Sequence, residues 1–109
     1  MQLALLAEKE DNRKNAISQF ENLVLRYPKE PEILFQVGRL LVNDNQTARG
    51  IVRLEQVIQL LPNHSNAHYT LGVAYERQGK TEQAREQFER VLQLNPSNQE
   101  VAERLEQLE

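Results

Sequence analysis

Residues 65–98 read SNAHYTLGVAYERQGKTEQAREQFERVLQLNPSN, and this stretch decides the fold. Its first half places Ala67, Leu71, Ala74 and Tyr75 on one helical face. Gly79 interrupts that helix. A second apolar face follows in Ala84, Phe88, Val91 and Leu92, with Thr81 placed to cap it. Asn95-Pro96 ends the second helix, because the residue before a proline is pushed out of the α region. Each helix is about 13 residues, or roughly 20 Å at 1.5 Å per residue. A pair of that size cannot hide its own apolar face and must stack on a neighbour of the same kind.

The neighbours are in the sequence. Pro28, Pro62 and Pro96 recur every 34 residues. Ala16 and Phe20 align with Ala84 and Phe88 after two such steps, and Gly38 aligns with Gly72 after one. Thr47 matches Thr81, Glu55 matches Glu89, Val57 matches Val91, and Leu60 matches Leu94. Self-similarity at a fixed period marks a solenoid. Small residues at Ala16, Gly38, Gly72 and Ala84 permit close helix approach, and Phe20, Tyr75 and Phe88 fill the space between layers.

Leu71-Gly72, Tyr75, Gly79, Ala84, Phe88 and Pro96 together resemble the tetratricopeptide repeat family. Its pattern is Trp, Leu-Gly and Tyr in the first helix, then Ala, Phe and Pro in the second. His68 stands where the family often has Trp. The copy at 31–64 is weaker: it keeps Gly38 and Pro62, and Gly50 replaces the small Ala at about 1 kcal/mol of helix propensity. The first copy is partial. It begins part-way along a first helix with Leu3, Ala4 and Ala7, then continues with Ala16, Phe20, Leu23 and Pro28. The resemblance covers essentially the whole chain. It implies an all-α, right-handed superhelical solenoid of antiparallel helix pairs, with about two and a half repeats and a C-terminal capping helix. The divisions expected are a partial repeat at 1–30, repeats at 31–64 and 65–96, and the capping helix at 97–109.

The two ends read differently. Ser97 with Glu100 three residues on has the form of a capping box. Val101, Ala102, Leu105 and Leu108 then make a single apolar stripe, as a helix closing an array would. Leu3-Ala4-Leu5-Leu6-Ala7 is instead apolar all round, which calls for cover on every side. Either repeats that precede this stretch supply the cover or another molecule does. In the second case Leu3, Leu5 and Leu6 are candidate self-association residues, acting by packing or helix exchange, with fraying of the first helix as the alternative.

The resemblance implies that the first helix of each pair lines a concave groove that holds a peptide or helix of another protein. Carried over by position, the main groove residues are Leu5, Phe35, Arg39, Val42, Tyr69, Val73, Glu76 and Arg77, with Glu100 and Arg104 beyond them. Leu5, Phe35, Val42, Tyr69 and Val73 form an apolar floor ringed by both signs of charge, which suits an amphipathic helix or mixed peptide. Phe35 and Tyr69 read equally well as packing residues between first helices. One subclass grips a C-terminal carboxylate with Lys, Asn and Arg. The matching positions here are Met1, Leu5, Gln36, Asn66 and Thr70, none of them basic, so chaperone-tail binding is not expected.

Composition narrows the rest. Thirteen Lys and Arg face 16 Asp and Glu, a net charge of -3, which gives no reason to expect nucleic acid. There is no Cys, no apolar run of membrane-spanning length and no signal-peptide pattern; the compartment is not read from these absences, and the cytoplasm stands only as the default. His64 and His68 are four apart but lack a third ligand, and read as a turn histidine and a packing histidine. Asp11 and Asp44 suit turn positions. Glu86 with Arg90 reads as a solvated pair. Asn45-Gln46-Thr47 and Asn63-His64-Ser65 fit a glycosylation triplet that matters only in a secreted chain. No catalytic constellation, phosphate loop, cofactor or metal site is expected. The expected role is a protein-interaction module, with an oligomerising element or an adaptor attached to an enzyme as alternatives.

Overall fold

The computed structural model describes the backbone of residues 2–108 and the side chains of residues 12–108. Within them lie six helices and no strand: α1 (Gln2–Arg26), α2 (Pro31–Asn43), α3 (Thr47–Leu60), α4 (Ser65–Arg77), α5 (Thr81–Leu94) and α6 (Gln99–Gln107). The architecture is an all-α solenoid. Good helix formers and the absence of strand-like alternation account for the class.

Two hairpins repeat the same physics. α2 and α3 run antiparallel, since Gly38 meets Leu54 while Val42, one turn on, meets Gly50. α4 and α5 are the next pair, with Gly72 against Phe88. Both first helices end in the same way. Asn45 and Gly79 take the left-handed conformation at φ 62° and 73°. The following amides, of Gln46 and Lys80, reach back to the carbonyls of Leu41 and Tyr75, each at 2.9 Å. This closure satisfies carbonyls that a helix end leaves orphaned.

Glycine and side-chain size set the helix separation. A Cβ on Gly72 would collide with the Phe88 ring, lying 2.7 Å from Cδ1. A Cβ on Gly38 would lie 2.7 Å from Leu54 Cγ, and one on Gly50 would lie 2.9 Å from the Gly38 carbonyl oxygen. Gly50, read from sequence as a loss of helix propensity, is thus needed for contact between two backbones. One apolar cluster gathers Ile17, Val24, Leu34, Val37, Leu41, Leu54, Val57 and Leu71, and a second gathers Ala84, Phe88, Val91 and Val101. Leu105 and Leu108 pack on the second, so the stripe on α6 closes it.

Three local expectations change. α5 begins at Thr81 itself, behind Lys80, and Lys80 makes no side-chain cap. Ser97 and Glu100 form no capping box. Asn98 is the cap, its Oδ1 accepting from the Val101 amide at 3.1 Å, while Ser97 donates to Asn95 and Glu100 accepts from Tyr69. Arg90 bonds to Gln93 and Asn63 rather than pairing with Glu86.

The first copy departs from the hairpin pattern. The period would place a turn at Asp11, one step before Asn45 and Gly79, yet α1 runs unbroken for 25 residues. Its C-terminal half packs in the layer of second helices. There Glu21 accepts a fork from Arg53, at 3.1 and 3.2 Å, and a third bond from Arg49 at 3.4 Å. Such two-pronged Arg–carboxylate pairs fix geometry as well as charge.

Candidate functional site

The first helices α2 and α4, with α6 beyond them, carry the predicted groove residues, and three contacts fix how these helices sit. Arg77 reaches back from α4 to donate to the Val42 carbonyl at 2.6 Å, capping the C-terminal end of α2. Tyr69 on α4 donates to Glu100 on α6 at 2.8 Å. Arg104 on α6 returns to Glu76 on α4 at 2.9 Å, with its guanidinium 5.6 Å from the Tyr69 ring centre. A cation over an aromatic face is held by the ring quadrupole.

Along α2, Arg39 donates twice to Gln36 Oε1, at 3.3 and 2.7 Å, and Gln36 in turn donates to Glu32 at 2.9 Å. Arg39 is therefore anchored only to its own helix in these bonds. Phe35 is half-buried, packed against the core and against the His64 ring, with ring centres 4.9 Å apart. Tyr69 and Val73 are also half-buried and pack on the second cluster, Tyr69 lying 6.0 Å from Phe88. These three apolar side chains thus serve the core and keep part of their surface outside. Glu76 is half-buried and Arg77 exposed.

Val42 is a correction. It is 1% exposed, and its Cγ2 faces the site where Gly50 lacks a Cβ. It belongs to the hairpin interior, since it lies one turn after Gly38, which faces Leu54 of α3; only its carbonyl serves the groove side, through Arg77. Leu5 lies outside the residues whose side chains are described, as do Leu3 and Leu6.

Burial raises the Tyr69 hydroxyl above its usual pKa, the hydrogen bond to Glu100 and its charge add to this, and Arg104 opposes it. Tyr75 is raised further, first by burial and then by its 2.6 Å bond to Glu55 and the charges of Glu55 and Glu86. Both phenols stay neutral donors at neutral pH, so these links are hydrogen bonds to carboxylates.

The histidines have other work. His64 caps α4, its Nδ1 accepting from the Ala67 amide at 3.0 Å. His68, 6% exposed, has Nε2 at 2.7 Å from the Pro62 carbonyl and Nδ1 at 2.7 Å from the Gln87 amide group. A backbone carbonyl only accepts, so Nε2 carries the proton, and Nδ1 then accepts from Gln87, whose side-chain amide turns its N–H toward the ring. Both ring nitrogens of His68 are thereby occupied in joining α4, the preceding loop and α5. Among the described residues no three potential metal ligands cluster, and no helix is long and apolar enough to cross a membrane. Sequence reasoning missed the Arg77 and Arg104 latches, since long side chains reach partners 35 and 28 residues away that no local pattern specifies.

The repeat geometry agrees with comparison to known proteins. Tetratricopeptide repeat profiles match residues 1–30 and 65–98, together more than half of the chain. The chain belongs to the tetratricopeptide repeat family. It is 27% identical over 111 residues to the human protein O-mannosyl-transferase TMTC1, covering 98% of this chain but only 13% of that protein. Its fold is similar to the first tetratricopeptide domain of Spaghetti (RPAP3) bound to the HSP90 peptide SRMEEVD, with a TM-score of 0.85 at 20% identity, covering 98% of this chain and 85% of that one. It is also similar to YrrB, described as a tetratricopeptide protein with an unusual peptide-binding site, with a TM-score of 0.80 at 23% identity, covering 93% and 52%. Repeats of this family form protein-interaction scaffolds.

Proposed function

We propose that the side of the solenoid carrying Phe35, Arg39, Tyr69, Val73, Glu76 and Arg77 holds a peptide or amphipathic helix of a protein partner. The observation that carries this reading is the half-burial of Phe35, Tyr69 and Val73 beside charges of both signs. An apolar side chain of the ligand would cover those three. Among the described residues Arg39 bonds to a neutral amide and to no carboxylate, which leaves its charge for an acidic group. Peptide binding by structurally similar family members supports the reading. Gln36, Asn66 and Thr70, at positions matched to a basic clamp, favour an internal segment over a carboxylate terminus. The match to a small part of a large transferase supports the same module serving as an adaptor within a longer enzyme.

The test is selection of peptides from a displayed library on the intact chain, followed by fluorescence anisotropy. Arg39→Glu and Val73→Lys are expected to weaken selected peptides by roughly tenfold or more, consistent with loss of a charge-assisted contact and an apolar one. The melting temperature of Arg39→Glu should hardly move. Selected peptides that bind both variants as tightly as the parent chain would sink the proposal.

A further inference from the structure

The first helix leaves open a face that the other two hairpins cover. Ala16, Phe20 and Leu23 occupy the same places in the period as Gly50, Leu54 and Val57, and as Ala84, Phe88 and Val91. In the two later copies Gly50 is buried and the other five are at most 1% exposed. In the first copy Ala16 and Phe20 are only half-buried and Leu23 is 36% exposed.

The backbone explains the difference. Elsewhere the cover is the hairpin's own first helix, which places Gly38 on Leu54 and Gly72 on Phe88 after a reversal at Asn45 or Gly79. At the equivalent Asp11 the helix continues. Glycine enters the left-handed state freely, and Asn45 also adopts it, whereas Asp11 stays helical. A straight helix cannot lie along its own flank. Yet residues 2–10 carry the covering sequence: Leu3-Ala4 and Ala7 stand at the positions of Leu71-Gly72 and Tyr75. The family profile likewise takes residues 1–30 as a repeat.

We infer that two copies of this chain exchange the N-terminal half of α1, so that residues 2–10 of each cover the Ala16, Phe20 and Leu23 face of the other. The occupant is a second copy because this segment has the small-residue register that the face accepts, and the unbroken helix denies it to its own chain. The arrangement is reciprocal and closes as a two-fold dimer, the usual form of exchanged elements.

The chain has no cysteine, so engineered thiols report cleanly. Ala4→Cys and Ala16→Cys are made as separate variants, at positions equivalent to Gly38 and Gly50, whose backbones touch. They are unfolded together, refolded as a mixture and oxidised. Exchange predicts a disulfide joining one chain of each variant, identified by mass spectrometry, and light scattering of the parent chain at twice 12.7 kDa. A parent chain that stays monomeric at high concentration overturns the inference. So does a dimer in which the mixed disulfide is no more abundant than those formed by either variant alone. The double variant separates the remaining geometry: a disulfide formed within one chain shows a turn at Asp11 and also overturns exchange.

Discussion

Gly50 and Gly38 touch through their backbones: a Cβ on Gly50 would stand 2.9 Å from the Gly38 carbonyl oxygen and 2.7 Å from Val42 Cγ2. The equivalent of Gly50 in the next hairpin is Ala84, fully buried beside Phe88. One hairpin therefore packs glycine on glycine, and the other packs glycine on an aromatic ring.

Gly50→Ala is expected to destabilise the chain despite gaining about 1 kcal/mol of helix propensity. Backbone oxygen cannot move aside as a side chain can, and overpacking typically costs about 1–3 kcal/mol. Gly72→Ala should cost at least as much, because the obstacle is the Phe88 ring, held within a full core. Urea unfolding of both variants measures this; a gain in stability for Gly50→Ala would show that the two helices can separate freely.

His68→Phe keeps a ring in the core but removes both hydrogen bonds. The Pro62 carbonyl then loses its partner from the ring. Pro62 is exposed, so water takes the place of the ring at its carbonyl, and the loss expected in chemical denaturation is the net worth of the hydrogen bonds, about 0.5–1.5 kcal/mol each. Gln87→Leu in the His68→Phe background should recover part of it, since the Gln87 amide left without its ring partner disappears as well. Independent, additive effects of the two substitutions would show that the residues are not coupled.

The cap of α6 is read by comparing neighbours. Asn98→Ala should lower stability by about 1 kcal/mol through loss of the bond to the Val101 amide. Ser97→Ala should be close to neutral, since Ser97 bonds only to Asn95 at the surface. The reverse order would restore the Ser97–Glu100 box.

Alkaline titration tests the tyrosine latches. A phenol whose pKa is raised by folding stays protonated in the folded chain after it ionises in the unfolded one. Its contribution is fully present below the unfolded value of about 10 and is lost as pH rises toward the folded value. Stability should therefore fall above about pH 10, from both Tyr69 and Tyr75. Tyr75→Phe should flatten that decline more than Tyr69→Phe, because Tyr75 is raised further. Equal pH profiles for the parent and Tyr75→Phe would show that neither burial nor Glu55 raises the Tyr75 hydroxyl.

The 34-residue recurrence of proline with Gly38, Gly72, Ala84 and Phe88 made the helix pairs and their stacking legible. Those positions are local or periodic, and burial against a like neighbour is the one way such faces leave water. The groove side was legible in part: Phe35, Tyr69 and Val73 do keep partial exposure, but Val42 turns inward. A position carried over from the family does not carry the local register of α2, and Val42, one turn after Gly38, faces α3. Caps were less legible still. Thr81, Ser97 and Asn98 all have suitable side chains, and only the true helix start decides which oxygen meets an orphan amide.

By itself the sequence determined a helical repeat, where its turns fall in the second and third copies, and which small and large residues share each layer, because periodic burial depends only on spacing and size. The tertiary structure alone decided the latches of Arg77 and Arg104, the double bonding of His68, and the unbroken course of α1 through Asp11. Those depend on the reach of long side chains across the chain, and on a balance between turn and helix that is settled by what lies beside each residue.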